Sequence, residues 1–89
     1  MALYYVFIIP KTGVTREQVE ATLNKATDWI RYQDRFYIIK SSTNAAGWYK
    51  RLEPLVSPNG HVFIAKIDPT DQFGRMTQVF WDWWAKAKS

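Results

Sequence analysis

Apolar and polar positions follow one another along this chain in a pattern that predicts alternating strands and helices. An unbroken apolar run at residues 3–9 is typical of a strand that is covered on both faces. Two short aromatic strands are predicted at residues 29–32 and 35–40, joined at Gln33 and Asp34, with one long bulged strand as the alternative. His61–Ile67 is the last predicted strand. Apolar residues at helical spacing occupy the segments between these strands and the end of the chain.

The helix that follows the first strand is indicated by its cap. Thr15 and Gln18 have the spacing of a capping box, in which each side chain accepts a hydrogen bond from the other's backbone. Val19, Leu23 and Ala26 then form a narrow apolar stripe. These signals predict a helix that begins at Thr15 and packs one face on the sheet.

Two further helices are predicted from the same kind of evidence. Ser42, Thr43 or Asn44 begins the second helix, and Pro54 is expected to end or kink it. Its expected core stripe is Trp48, Leu52 and Leu55. The third helix is rich in tryptophan, with Trp81 expected to point away from a stripe formed by Met76, Phe80, Trp83, Trp84 and Ala87.

The order strand, helix, two strands, helix, strand and closing helix predicts one domain at residues 1–89, with a core at 1–75 and a C-terminal helix at 76–89. Right-handed connections assemble it into an α+β, ferredoxin-like βαββαβ sandwich with an added Trp-rich helix. Two helices cover one face of the antiparallel sheet. The second face must then be covered by the tail, a ligand or a partner, because its apolar first strand would otherwise lie in water.

Composition narrows the possible chemistry. The chain has no cysteine, which excludes disulfides and thiolate metal sites. Its net charge of +4 permits contact with nucleic acid, although the basic residues are spread along the chain. No secretory signal or membrane span is evident, so we expect a cytoplasmic protein.

Several segments carry a family resemblance. Residues 28–32, 36–41, 51–60 and 62–64, together with the tail at residues 80–84, resemble the small SinR-family proteins. These are relatives of the CRISPR adaptation protein of the Cas-two type and of VapD-like toxins. The resemblance implies homodimers of ferredoxin-like subunits that pack through their sheet faces. It also implies, for some members, metal-dependent nuclease activity that uses an aspartate just after the first strand.

This chain departs from the family at that aspartate. Pro10 and Lys11 follow the first strand, and the first acidic residue is Glu17, already on the helix. A proline and a lysine cannot hold a magnesium ion beside a phosphate. We therefore expect a non-catalytic homodimeric binding protein without metal or cofactor, in a nucleic-acid or mobile-element defence context. A metal-dependent nuclease with relocated ligands is the alternative.

Basic and aromatic residues on the predicted sheet suggest a second alternative. Arg31, Arg35, Tyr37 and Lys66 are the candidate nucleic-acid-binding residues, because RNA-recognition domains of this architecture stack bases on sheet aromatics and hold phosphates with basic side chains. The competing interpretation places the same aromatics in a dimer interface. Structural roles are expected for the remaining polar candidates: solvation for His61, capping for Ser41, Ser42 and Thr43, and turn formation for Asp68 and Asp71.

Overall fold

The structure is a computed structural model that describes all residues from 1 to 89. It contains the predicted order of strands and helices. The elements are β1 (Ala2–Ile9), α1 (Arg16–Leu23), β2 (Asp28–Gln33), β3 (Phe36–Ser41), α2 (Ala45–Val56), β4 (His61–Ile67) and α3 (Gln78–Ala87). Together they form a compact α+β fold of one four-stranded sheet and three helices.

All neighbouring strands of the sheet are antiparallel, and their order is β2-β3-β1-β4. The apolar strand β1 is central, as its unbroken run predicts. Tyr5 lies opposite Ile38 of β3 and Ala65 of β4. Because partners in an antiparallel sheet point to the same side, this register assigns each side chain to one of two faces.

The helix face of the sheet is the one that α1 and α2 cover. Tyr4, Val6 and Ile8 of β1 point to it and are buried against the two helices. The helices contribute their own buried stripes to the same core, Val19 and Leu23 from α1 and Trp48, Leu52 and Val56 from α2. This core is the larger of two apolar clusters, and it holds α1 and α2 on the sheet.

The predicted cap of α1 is confirmed in full. Thr15 Oγ1 accepts a hydrogen bond from Gln18 N, and Gln18 Oε1 accepts one from Thr15 N at 2.8 Å. The predicted apolar stripe is longer than the helix, because α1 ends at Leu23. Ala26 lies in the following turn and still packs against the core.

Helix α2 begins as predicted and ends later than predicted. Asn44 is its cap and accepts a hydrogen bond from Gly47 N. Pro54 does not end the helix, which continues to Val56. A proline in the last turn removes only one backbone bond, and Leu55 O gains a partner from outside, Lys11 N at 2.8 Å. Val56 therefore joins the buried stripe, while Leu55 is only half-buried.

The predicted pair of strands is confirmed and the alternative of one long strand is wrong, although a bulge is present in β2. The strands are separate and turn at Asp34 and Arg35, and the register shifts between Arg31 and Gln33. Tyr32 is therefore the bulged residue. The structure corrects the prediction that Arg35 begins the strand at residues 35–40, because Arg35 lies in the turn.

Candidate functional site

The second face of the sheet is covered by α3 over only part of its area. Phe80, Trp84 and Ala87 of α3 are buried against Leu3 and Ile38. Two hydrogen bonds tie the helix to β2: Trp83 Nε1 donates to Asp28 Oδ2 at 3.1 Å, and the backbone N–H of Thr77 donates to the Tyr32 hydroxyl at 3.3 Å. The helix thus lies toward the β2 side, and on β4 it contacts the end of the strand at Ile67 while Phe63 stays exposed.

The stripe predicted for α3 is confirmed, since its five residues pack in one apolar cluster, although Met76 precedes the helix. Trp83 is half-buried because its indole reaches the edge of the sheet, and Trp84 holds the central position. Trp81, predicted to point elsewhere, packs beside the same cluster with its ring 5.2 Å from that of Phe80. Helical spacing alone predicts a stripe, but the tilt of the helix on the sheet decides which flanking rings are in contact.

An aromatic patch occupies the uncovered part of this face, formed by Tyr5, Phe7, Phe36 and Phe63. Tyr5 is central, with ring centroids 4.8 Å from Phe36 and 6.4 Å from Phe63. Phe7 lies directly opposite both phenylalanines in the register. Phe63 is 62% exposed. A cluster of half-buried rings that ends in a largely exposed phenylalanine on the edge strand β4 indicates an interaction surface.

A groove of about 290 Å³ lies between the aromatic patch and α3. Tyr5 and Phe36 line one side of it and Trp81 the other, and most of its remaining lining is apolar. Phe73, from the loop before α3, also lines the groove and is fully exposed. The groove and the aromatic patch together form one continuous apolar surface.

Sequence reasoning missed Phe63 and Phe73 as candidate residues. Two signals were present: Phe63 alternates with inward residues on an edge strand, and Phe73 is a lone large apolar residue in an otherwise polar loop. Neither signal reveals exposure by itself, because exposure depends on where α3 docks.

Tyr37 and Arg31, two of the candidate nucleic-acid-binding residues, lie on the helix face. Tyr37 is 1% exposed, and its hydroxyl donates to Glu20 Oε2 at 3.0 Å. Arg31 Nε lies 3.2 Å from the same carboxylate oxygen, and Arg31 Nη1 lies 3.6 Å from Asp34 Oδ1. Burial corrects the stacking role expected of Tyr37, because its ring presents no free face to a base.

Arg35 and Lys66, the other two candidates, lie apart from this pair. Arg35 is exposed in the β2–β3 turn. Lys66 is exposed near the end of β4, on the opposite edge of the sheet. The four predicted residues therefore do not form one surface.

The buried hydrogen bond from Tyr37 to Glu20 predicts a loss of stability in alkali. Burial, together with the hydrogen bond and negative charge of Glu20, raises the pKa of Tyr37 above its ordinary value of 10.0. Above about pH 10 the unfolded chain releases the Tyr37 proton, whereas the folded chain keeps it. The free energy of unfolding therefore falls as pH rises. Between pH about 9 and about 11, the free energy of unfolding measured in urea should fall less in Tyr37→Phe than in Tyr49→Phe, which changes an exposed tyrosine and serves as the control. Equal falls in the two variants would contradict this prediction.

The remaining polar candidates have structural roles. Ser41 does not cap α2 as expected: it lies in β3, its Oγ accepts a hydrogen bond from Thr43 N at 3.0 Å, and Asn44 is the cap. Asp68 Oδ1 accepts from the backbone N–H and the hydroxyl of Thr70, and these bonds lower the pKa of Asp68. His61 is exposed at the first residue of β4. The turn predicted at Asp68 and Asp71 is present, closed by Asp71 N donating to Asp68 O.

No group of three or more histidine, cysteine, aspartate or glutamate side chains lies together in a way that could hold a metal ion. Pro10 and Lys11 directly follow β1, where the resemblance would place an aspartate.

None of the three helices combines the length and the apolar character needed to cross a membrane. Comparison with known proteins found no matching family model, no matching curated protein and no matching solved structure.

Proposed function

We propose that this chain is a non-catalytic binding protein that acts as a homodimer, with the aromatic patch and the groove buried between two copies. The exposed aromatic patch on the second sheet face is the observation that carries the proposal. Phe63 is 62% exposed on this patch, and Phe73 is fully exposed beside it. Rings of this size strongly favour removal from water, and an isologous dimer buries the same surface on both copies in one contact.

The two exposed rings supply part of the area that a stable dimer buries. An aromatic side chain buries about 150–250 Å², so Phe63 and Phe73 together offer roughly 300 Å² per copy. A standard interface buries about 800 Å² per partner. Half-buried Tyr5, Phe7 and Trp81 adjoin the two exposed rings and extend the same surface.

We further propose a ferredoxin-like core. The supporting observations are the element order, the antiparallel strand order β4-β1-β3-β2 and the packing of α1 and α2 on one face. The resemblance to Cas-two-like and SinR-family proteins supports a cytoplasmic role in a nucleic-acid or mobile-element defence context. The Pro10-Lys11 junction supports a role in binding, since the resemblance implies that the metal-dependent members use an aspartate at that position, and metal-dependent cleavage needs such carboxylates.

The dimer is tested by the molar mass in solution. Light scattering of the wild type at micromolar concentration should give twice the chain mass of 10.5 kDa. Phe63→Glu places a charge in the centre of the interface, and we expect it to raise the dimer dissociation constant at least about thirtyfold. Phe73→Glu should act in the same direction.

Tyr49→Glu is the matched control, because Tyr49 is a half-exposed aromatic residue on α2. It should leave the mass unchanged. A wild type that stays at 10.5 kDa across all accessible concentrations would contradict the proposal. So would a Tyr49→Glu variant that dissociates as readily as Phe63→Glu.

A further inference from the structure

Phe73 is the most exposed large apolar side chain of the protein. It lies in the loop between β4 and α3, where residues 72–77 belong to no helix or strand. Its ring stands at the rim of the apolar groove beside α3. A single exposed ring is ordinary on a protein surface, but here a projecting ring and an apolar groove lie side by side on the same surface.

The groove is large enough to take an aromatic ring. Its volume of about 290 Å³ exceeds the roughly 150 Å³ of an apolar cavity that binds benzene. Phe73 does not fill the groove of its own copy, because its side chain is fully exposed. A ring that entered the groove would leave water and contact the aromatic lining, which includes Tyr5 and Trp81.

Two-fold symmetry allows the rings and grooves of two copies to fill one another. In an isologous dimer the same surface lies on both sides of the contact, so each contact occurs twice with the roles of the two copies exchanged. Phe73 of each copy would then enter the groove of the other. These contacts add the lining of the groove to the exposed rings of Phe63 and Phe73, whose area alone falls short of a standard interface.

Opposite charges flank Phe73 at equal distances along the chain. Asp71 lies two residues before it and Arg75 two residues after it, and both are exposed. The ion pairs of the protein involve neither side chain. When two copies of this segment meet antiparallel about Phe73, Asp71 of each copy faces the partner's Arg75. The segment is therefore complementary to itself in charge as well as in its pairing of ring and groove.

We propose that residues 71–75 are the self-recognition segment of this protein: Phe73 enters the groove of a second copy, and Asp71 pairs with the partner's Arg75. The inference rests on the proposed dimer and specifies the contact that joins its two copies. Burial of the ring supplies most of the binding free energy of this contact. The two charge pairs fix the orientation of the copies and disfavour other apolar partners.

Charge reversal tests the pairing of Asp71 with Arg75, with the dimer dissociation constant measured by analytical ultracentrifugation at low salt. Asp71→Arg and Arg75→Asp each place like charges opposite one another twice, and each should raise the constant about tenfold. An equimolar mixture of the two variants should associate about as tightly as the wild type, because every facing pair then has opposite signs. The double variant Asp71→Arg/Arg75→Asp should do the same. High salt should reduce all of these differences.

Net charge alone predicts a different outcome. Arg75→Asp lowers the net charge of +4 and would then strengthen association, whereas Asp71→Arg would weaken it. Lys50→Glu is the matched control, because it lowers the net charge equally but lies on α2, on the helix face of the sheet. It should leave the dissociation constant within about twofold of the wild type.

Phe73→Ala tests the ring itself. It should raise the dissociation constant at least about tenfold, because each dimer loses two buried rings. Val79→Ala changes an exposed residue of α3 that does not line the groove, so its constant should stay within about twofold of the wild type. Thermal melting verifies that every variant is folded.

A dimer that Phe63→Glu dissociates, but that Phe73→Ala and both charge reversals leave intact, would overturn this inference while the proposed dimer stands. Weakening by both reversals without rescue in the mixture or in the double variant would also overturn it. A wild type that stays monomeric would contradict the proposed dimer and this inference together.

Discussion

Replacing Trp84 with alanine is expected to lower the free energy of unfolding by about 3–5 kcal/mol and the melting temperature by more than about 15 °C. Trp84 is 4% exposed and stacks on Phe80 with ring centroids 6.0 Å apart. It belongs to the cluster that joins α3 to Leu3 and Ile38. Thermal and urea denaturation measure the loss, which is a large share of the stability of so small a domain.

Two variants show that the effect comes from packing. Val79→Ala, at an exposed position of the same helix, should change stability by less than about 0.5 kcal/mol. Trp84→Phe keeps a ring and removes an indole N–H that has no hydrogen-bond partner, so its cost should stay below about 1.5 kcal/mol. A Trp84→Ala variant that melts within a few degrees of the wild type would mean that α3 is not held on the sheet.

The second large effect is expected for Gly60→Ala, with a loss of about 3 kcal/mol in the free energy of unfolding. A Cβ at Gly60 would be 2.8 Å from Lys11 N and 2.9 Å from Pro10 C, and closer still to Ile9 O. These atoms are backbone, at the end of β1, so no side-chain rotation relieves the clash. Either β4 or the segment after β1 must move, and the pairing of the two strands is weakened.

Gly74→Ala is the control for this substitution. A Cβ at Gly74 meets no atom within 4 Å, and its backbone is not in the left-handed region. Its stability should remain within about 1 kcal/mol of the wild type, with any change toward stabilisation because alanine restricts the unfolded chain. If Gly60→Ala unfolds at the same urea concentration as Gly74→Ala, Gly60 does not lie as close to the end of β1 as the structure places it.

Much of the architecture was predictable because its signals are local. The capping box of Thr15 and Gln18 satisfies backbone groups within one turn, so sequence spacing is sufficient to place the start of α1. For α2 the spacing narrowed the cap only to Ser42, Thr43 or Asn44, of which Asn44 is the observed one, and the strand at His61–Ile67 has its predicted bounds. The end of α2 was missed because Leu55 O is satisfied by Lys11 N, which is far away in the sequence.

The candidate site was harder to predict because it depends on contacts between distant segments. Tyr37 lies between Arg35 and Lys40 in the sequence, but the register directs its ring toward α1 and Glu20. The hairpin bulge moves Arg35 into a turn and separates it from the strand. The prediction that the second sheet face needs covering is partly met by α3, and the docking position of α3 decides that Phe63 stays exposed.

The central claim is that the aromatic patch is buried against a second copy, and an isotope-filtered NOE experiment on a mixture of ¹³C-labelled and unlabelled protein tests it most directly. We expect intermolecular NOEs from the rings of Tyr5, Phe7 and Phe63, and none from the buried ring of Trp48 on the opposite side of the sheet. A mixture without intermolecular NOEs at these three rings, or with NOEs confined to another surface, would contradict the account.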